Sequence, residues 1–348
     1  MNIVKKLLLI VKVNSLSKNK SVNNNALTHA AQSTLDSLSK SDYLLANHWE
    51  VEDNNGIYLG IHEHQPDYVI IDGLWVVPEK FKELGNLYPK IKWIIRIHSE
   101  IPFVAQEGIF SDWLYKYLNI ENVYIAFNSK NIYKAAISSI DQYKKSMIYL
   151  PNLYVLNDPN VVESIKMRHK EKIKIGIFGA ARILKNQYAQ AFAALDFAET
   201  LDKPLELFIN INTRDPNGLP IYLNIINLIK NHPSKRHTIK MVEWTTRENF
   251  LNMLSEIDIS MQVSLTETFN LVSCDSLLMN TPVIGSGEIP WLSKLSSCRP
   301  THHKSIVNAL YRAYFFPEVN VYLNKRNLIK YVNRSLKEWE LLLVRKLP

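Results

Sequence analysis

Glycine is scarce: 10 of 348 residues, under half the usual share of ~7%. Neither G-x-G-x-x-G nor G-x-x-x-x-G-K-S/T occurs, which excludes an ordinary dinucleotide fingerprint and a P-loop. Cysteine is nearly absent. Cys274 and Cys298 alone make neither a disulfide framework nor a four-cysteine metal site, a usage typical of a reducing compartment, so a cytoplasmic protein is expected. Long apolar runs are missing too. The N-terminal KKLLLIVKV offers about five apolar residues before Lys12, too few for a signal core or a membrane span; it reads as a buried strand. With 47% hydrophobic and 21% charged residues, the chain has a globular composition, and at roughly 150 residues per domain its length suggests two domains.

Short apolar runs alternate with segments of helical period, the pattern of a mostly parallel sheet with crossover helices. A first series comprises KKLLLIVKV, DYVIIDGLWV, IKWIIRIH, NVYIAFNS and SMIYLPN, with ALTHAAQSTLDSL as one intervening helix. A second comprises KIKIGIFG, LELFINI, TIKMVEW, IDISMQV and TPVIGS. Between them DPNVVESIKMRHKEK reads as a linker or surface helix. The expected division is 1–165 and 166–348. After a break at Pro317, a helical stripe of Leu328, Tyr331, Leu336, Trp339 and Leu342 predicts a terminal helix that packs back on the fold.

Charge is unevenly distributed. Residues 1–160 hold 16 Lys+Arg and 16 Asp+Glu, whereas 161–348 hold 25 and 17, which is the whole net charge of +8. The excess gathers in the linker (Lys166, Arg168, Lys170, Lys172, Lys174) and the tail (Lys325, Arg326, Lys330, Arg334, Lys337, Arg345, Lys346). Such clusters are either solvated faces or contacts for nucleic acid or an anionic surface.

The most informative segment runs from Ser264 to Trp291, SLTETFNLVSCDSLLMNTPVIGSGEIPW. On a helical wheel, Val272, Cys274, Leu277, Leu278 and Met279 form an apolar arc opposite Ser273, Ser276 and Asn280. Asp275 falls within the apolar arc. A carboxylate facing inward needs donors or a cation: ligand hydroxyls, a backbone cap or an arginine. Glu267 stands eight residues earlier, in the loop after the strand IDISMQV, where open α/β sheets bind ligands.

The element ETFNLVSCDSLLMNTPVIGS resembles the E-x7-E element of nucleotide-sugar glycosyltransferases of the GT-B fold, in particular the retaining enzymes of family 4, with Asp275 in place of the second glutamate. Further pieces extend the resemblance in order along most of the chain: Arg182 and Lys185 after KIKIGIFG, His98 after IKWIIRI, Asn128-Ser129, Pro151-Asn152, and the loop bearing Gly287 and Glu288. The first loop departs from it, with Asn23, Asn24 and Asn25 where the family commonly has glycines.

The resemblance implies an α/β fold of two Rossmann-like domains with a donor cleft between them. It implies a metal-independent transferase needing no cofactor beyond its co-substrate, a UDP-, GDP- or ADP-sugar. Glu267 and His98 would lie by the transferred sugar, and Arg182 and Lys185 by the diphosphate. Asp275 would hold the ribose, with Asn270, Leu271 and Trp244 completing the donor site. Three acceptor or function classes stay open: a hydroxymethylated base in DNA, in a virus-encoded enzyme working in the host cytoplasm and held by the basic linker and tail; a polysaccharide or lipid-linked glycan; and a non-catalytic nucleotide-sugar-binding protein. His62 and His64 read as a surface pair, not metal ligands, and Glu100 as a helix-capping or solvated residue, or else an acceptor-side base if the reaction needs one.

Overall fold

A computed structural model describes residues 4–13, 26–156, 171–210 and 218–347. The chain divides into two compact units, Met1–Val155 with Val332–Pro348, and Leu156–Tyr331. The boundary expected near residue 165 lies outside the described residues, as do Asn23, Asn24, Asn25, Lys166, Arg168 and Lys170.

The first unit runs β1 (Lys5–Lys12), α1 (Ala26–Leu38), β2 (Leu44–Val51), α2 (Gly56–His64), β3 (Tyr68–Asp72), α3 (Pro78–Leu87), β4 (Lys92–Ile97), α4 (Ile101–Val104), α5 (Phe110–Leu118), β5 (Val123–Phe127), α6 (Lys130–Ser139) and β6 (Met147–Tyr149). Its strands are parallel, in the order β2-β1-β3-β4-β5-β6. Leu7 to Val11 are buried without interruption because helices cover both faces of such a sheet. Alternate side chains serve opposite layers. Leu8, Ile10, Val69, Ile71 and Trp93 meet residues of α2, α3, α5 and α6; Leu7, Leu9, Ile70 and Ile94 meet α1 and the terminal Trp339 and Leu343.

The second unit runs β7 (Ile173–Ile177), α7 (Gln187–Thr200), β8 (Leu205–Asn210), α8 (Leu219–Lys230), β9 (Thr238–Val242), α9 (Arg247–Ser255), β10 (Ile259–Gln262), α10 (Leu271–Leu278), β11 (Val283–Ser286), β12 (Ser297–Cys298), α11 (His303–Phe315) and α12 (Pro317–Glu340). Its parallel order is β12-β11-β10-β7-β8-β9. The order reverses between β7 and β10, and the loops leaving these two strands form the crevice in which doubly wound sheets hold ligands. The last turns of α12, from Val332, belong to the first unit, where Trp339 is fully buried. Among the described residues no helix is long and apolar enough to cross a membrane.

Several polar side chains are buried. Ser273 and Ser276 are as buried as the apolar arc of α10; this short helix is enclosed on both sides, and Ser276 Oγ donates to Val272 O. Glu100 stands at the N-cap of α4 as a capping residue would, but it is not solvated: it is 7% exposed and its side chain accepts a hydrogen bond from Ser129 Oγ. Lys325 is buried, with Nζ 2.6 Å from Asn280 Oδ1, so it leaves the proposed basic surface; Arg326, Lys330, Arg334 and Lys337 are exposed.

Candidate functional site

Beyond β7 the chain turns through Gly179, whose φ of +105° suits glycine and whose N–H donates to Asn210 Oδ1 at 2.9 Å. A short turn, Ile183–Lys185, leads into α7. The loops after β7 and β10 are stitched together. Leu265 N–H donates to Leu184 O at 2.8 Å, Asn186 Nδ2 to Val263 O at 3.1 Å, and Val263 N–H to Gln190 Oε1 at 3.0 Å. This stitching brings together two residues 82 positions apart: Lys185 Nζ lies 2.5 Å from Glu267 Oε1.

Glu267 is largely enclosed, its side chain 8% exposed. Besides Lys185, its Oε1 accepts from Ser264 Oγ at 2.8 Å and from Asn270 Nδ2 at 2.8 Å. Asn270 is the N-cap of α10: it adopts φ +70°, and its Oδ1 accepts the Ser273 N–H at 2.8 Å, satisfying one of the helix's orphan donors. Phe269 fixes the loop just before it. Its carbonyl accepts from Trp291 Nε1 at 2.9 Å, which also anchors the loop carrying the exposed Gly287 and Glu288.

Asp275 is 5% exposed, on the inward face expected of it. It pairs with Arg247 at the start of α9, with Nη1 3.0 Å from Asp275 Oδ1, one of the partners open to an inward carboxylate. The guanidinium is about one-third exposed. The structure therefore joins Lys185, Glu267 and Asn270 directly, with Asp275 further along the same helix and paired separately. Arg182 is exposed at the head of the turn, Leu271 is half-buried at the start of α10, and Trp244 is 46% exposed in the loop after β9. Cys274 is buried among them, and burial pushes its thiol pKa well up, which removes it as a nucleophile.

In the first unit, His98 lies just beyond β4, with Nε2 3.0 Å from Asp72 Oδ1. A carboxylate only accepts, so Nε2 carries a proton and Nδ1 keeps its lone pair unless the ring is doubly protonated; Asn128 Nδ2 lies 3.5 Å from Nδ1. Burial pulls the Asp72 pKa upward, but His98 and Arg96 outweigh it and hold the carboxyl below its ordinary range. Arg96, Asp72 and Arg247 escaped the sequence reading. Asp72 had a signal, a carboxylate ending the otherwise apolar strand YVIID; Arg247 follows the helix-capping Thr246 and had none.

His62 and His64 sit two apart on α2 and so face different directions. Among the described residues, Glu199, His232 and His237 have the spacing of a cation site. His237 Nδ1 accepts the Leu205 N–H at 3.1 Å, so its Nε2 carries the proton and donates to Glu199 Oε1, where Arg236 also binds at 3.0 Å. An N–H and a guanidinium thus already satisfy this carboxylate.

No protein-family model matches the chain, and no curated protein matches it in sequence. Solved structures do match. An alpha,alpha-trehalose-phosphate synthase (UDP-forming) from Burkholderia vietnamiensis aligns over 99% of this chain and 98% of its own, with 9% identity and a TM-score of 0.66. The sucrose-phosphate synthase of Thermosynechococcus elongatus aligns over 98% and 97%, with 13% identity and a TM-score of 0.60. Anabaena HepE, solved in complex with UDP-glucose, aligns over 97% and 99%, with 10% identity and a TM-score of 0.61. At these identities the likeness concerns the fold: an α/β chain of two Rossmann-like units in the GT-B architecture.

Proposed function

We propose that the chain is a glycosyltransferase that moves a sugar from a nucleotide-sugar donor to an acceptor hydroxyl. The observation that carries the reading is the bonded set Lys185–Glu267–Asn270 at the β7/β10 reversal, in a fold whose Anabaena neighbour holds UDP-glucose. A nucleotide sugar needs ribose acceptors, cations for its diphosphate and a carboxylate near the transferred sugar. Asp275, the pair Arg182 and Lys185, and Glu267 supply these in turn. Leu271 and Trp244 flank the same loops and complete the donor set.

The sugar carries positive charge in the transition state, as in glycoside hydrolysis, while the diphosphate gains negative charge. Donor binding draws Lys185 toward the phosphates and leaves the Glu267 carboxyl group beside the sugar. Arg182 and Lys185 then neutralise the leaving group without a metal. Retention of the anomeric configuration is the outcome the family resemblance implies. His98, held by Asp72 through Nε2, is the first-unit residue assigned to the transferred sugar. The test is calorimetric binding of UDP, GDP and ADP, followed by nucleotide release from the matching sugar nucleotides with and without EDTA. One donor bound and turned over in EDTA is the expected result; no binding of any nucleotide sinks the reading.

Asp275→Ala tests the ribose assignment. Losing hydrogen bonds to a charged group costs about 1.5–3 kcal/mol, so nucleotide affinity should fall about 10- to 150-fold. A 2′,3′-dideoxy nucleotide should bind wild type and variant alike. An unaltered dissociation constant would leave Asp275 as Arg247's structural partner only.

For the acceptor we keep a hydroxymethylated base in DNA as the proposal. The exposed Arg326, Lys330 and Arg334, spaced four apart on α12, support it as a row of phosphate contacts. Three such contacts give a slope of about −2.7 for log affinity against log salt. Changing all three to glutamate should abolish DNA binding, leave donor binding intact and remove that slope. Persistence of binding would eliminate this surface and move the acceptor search to glycans.

A further inference from the structure

We propose that Asn270, assisted by Ser264, positions Glu267 so that one carboxylate oxygen, Oε2, is the one offered to a hydroxyl of the transferred sugar. The inference rests on the glycosyltransferase reading above and changes the part assigned to Asn270, from a contact of the donor to a residue acting through Glu267.

The hydrogen bonds determine the orientation. Oε1 takes Lys185 Nζ at 2.5 Å, Ser264 Oγ at 2.8 Å and Asn270 Nδ2 at 2.8 Å. Three donors exceed the two lone-pair sites of one carboxylate oxygen, which leaves it no room for a ligand. Among the described residues no hydrogen bond engages Oε2, and it is not among the buried side-chain atoms that lack a partner, so it is the oxygen on the accessible side. One oxygen is thus committed to the protein and the other is presented.

Asn270 is itself over-determined. Its Oδ1 accepts the Ser273 N–H at 2.8 Å, so its Nδ2 must be the group facing Glu267 Oε1 and, at 3.0 Å, Gln262 Oε1. The Gln262 amide is fixed in turn, because its Nε2 donates to Phe178 O at 3.1 Å. A chain of oriented bonds therefore runs from the end of β7 through β10 to the carboxylate, and no amide in it can flip without losing a partner. Asn270 is 8% exposed and Ser264 1%, which limits competition from water.

Ligand binding makes this arrangement useful. Once the Lys185 ammonium turns to a phosphate, it no longer steers Glu267. Asn270 and Ser264 are neutral and tied to the loop and helix start, so they keep Oε1 in place through that exchange. A reacting group held within a fraction of an ångström of its productive position is worth up to about 100-fold in rate.

Asn270→Gly is the principal test, since glycine adopts the φ of +70° without strain and serves as an N-cap nearly as well. Expected is a fall of about 10- to 100-fold in kcat for nucleotide release from the sugar nucleotide that wild type turns over, with the dissociation constant of the free nucleoside diphosphate unchanged. In a Glu267→Gln background the same substitution should cost less than about twofold, because it acts only through the carboxylate. Ser264→Ala, which leaves the backbone and cap untouched, should lower kcat by a smaller factor in the same direction. The proposal is overturned by an unchanged kcat, by a nucleotide affinity that falls in parallel with kcat, or by an equal loss in the Glu267→Gln background. A wild-type chain that turns over no sugar nucleotide defeats the glycosyltransferase reading itself, and this inference with it.

Discussion

Glu267→Gln should lower kcat for sugar transfer by about 10²–10³-fold, the usual cost of removing one preorganised electrostatic group from a transition state. The fold should survive. Glutamine has the same shape, and its single oxygen keeps two of the three donors now on Oε1, those of Ser264 and Asn270. For that reason the amide nitrogen must stand where Oε2 stood. The substitution thus removes the charge and also replaces the acceptor on the ligand side with a donor. On the proposed assignment a sugar hydroxyl facing Oε2 then meets an N–H, and the carboxylate's charge is no longer there to steady an oxocarbenium-like transition state. Nucleoside diphosphate affinity should hold or rise, because Lys185 no longer has an anionic partner competing with phosphate. The check is single-turnover transfer with calorimetry on the same preparation. Turnover at the wild-type level would reject the role assigned to Glu267, and a loss of thermal stability without a loss of kcat would make it a structural anchor for Lys185.

The carboxylates of this site were visible in the sequence, but their partners were not. Glu267 stands out because it follows an apolar strand, and Asp275 because it interrupts an apolar arc; both signals are local. The pairing of Glu267 with Lys185 spans 82 residues and that of Asp275 with Arg247 spans a strand and two helices. Such contacts arise from strand order, and nothing in the sequence fixes that β10 returns beside β7 instead of beside β9. Likewise Lys325 reads as one more surface cation in a basic tail, yet the position of α12 against the turn after α10 buries it on Asn280.

The fold was legible wherever a strand is covered on both faces. Leu7–Val11, Val69–Ile71 and Trp93–Ile95 are buried without a break and appear in the sequence as apolar runs. Two edge strands escaped. β2, LLANHWEV, pairs only with β1 and is mostly half-exposed, so Asn47, His48 and Glu50 blur its pattern; β12 is two residues long. An edge strand needs apolar contacts on fewer sides, and its sequence reflects that.

The second large effect should appear in stability, at Arg96. Its guanidinium is fully buried in the first unit, with Nη2 2.7 Å from Asn152 Oδ1 and 3.2 Å from Pro151 O. Nη1 lies 3.5 Å from Asp72 Oδ1, and the group stands 5.2 Å over the ring of Trp339. Trp339 Nε1 donates to Pro151 O at 2.8 Å, so one side chain ties β3, β4, the turn after β6 and the terminal helix. Arg96→Met should cost about 3–5 kcal/mol, because it leaves the buried Asp72 carboxylate without its guanidinium partner. Arg96→Met with Asp72→Asn should cost less than Arg96→Met alone, since the stranded charge is then gone. The acid limb follows from the depressed pKa of Asp72. A carboxyl whose folded pKa lies below its unfolded value of about 3.9 stabilises the fold above that pH and loses the contribution as pH falls toward the folded pKa. With Arg96 gone the depression shrinks, so the loss begins at higher pH and the acid unfolding midpoint of the variant should move upward. Urea titrations from pH 3 to 7, read through Trp93 and Trp339 for this unit and Trp291 for the other, separate the two transitions. A shift confined to the first unit, relieved by Asp72→Asn, is the expected outcome. Equal stabilities of the single and double variants would show that the buried charge is not what Arg96 holds in place.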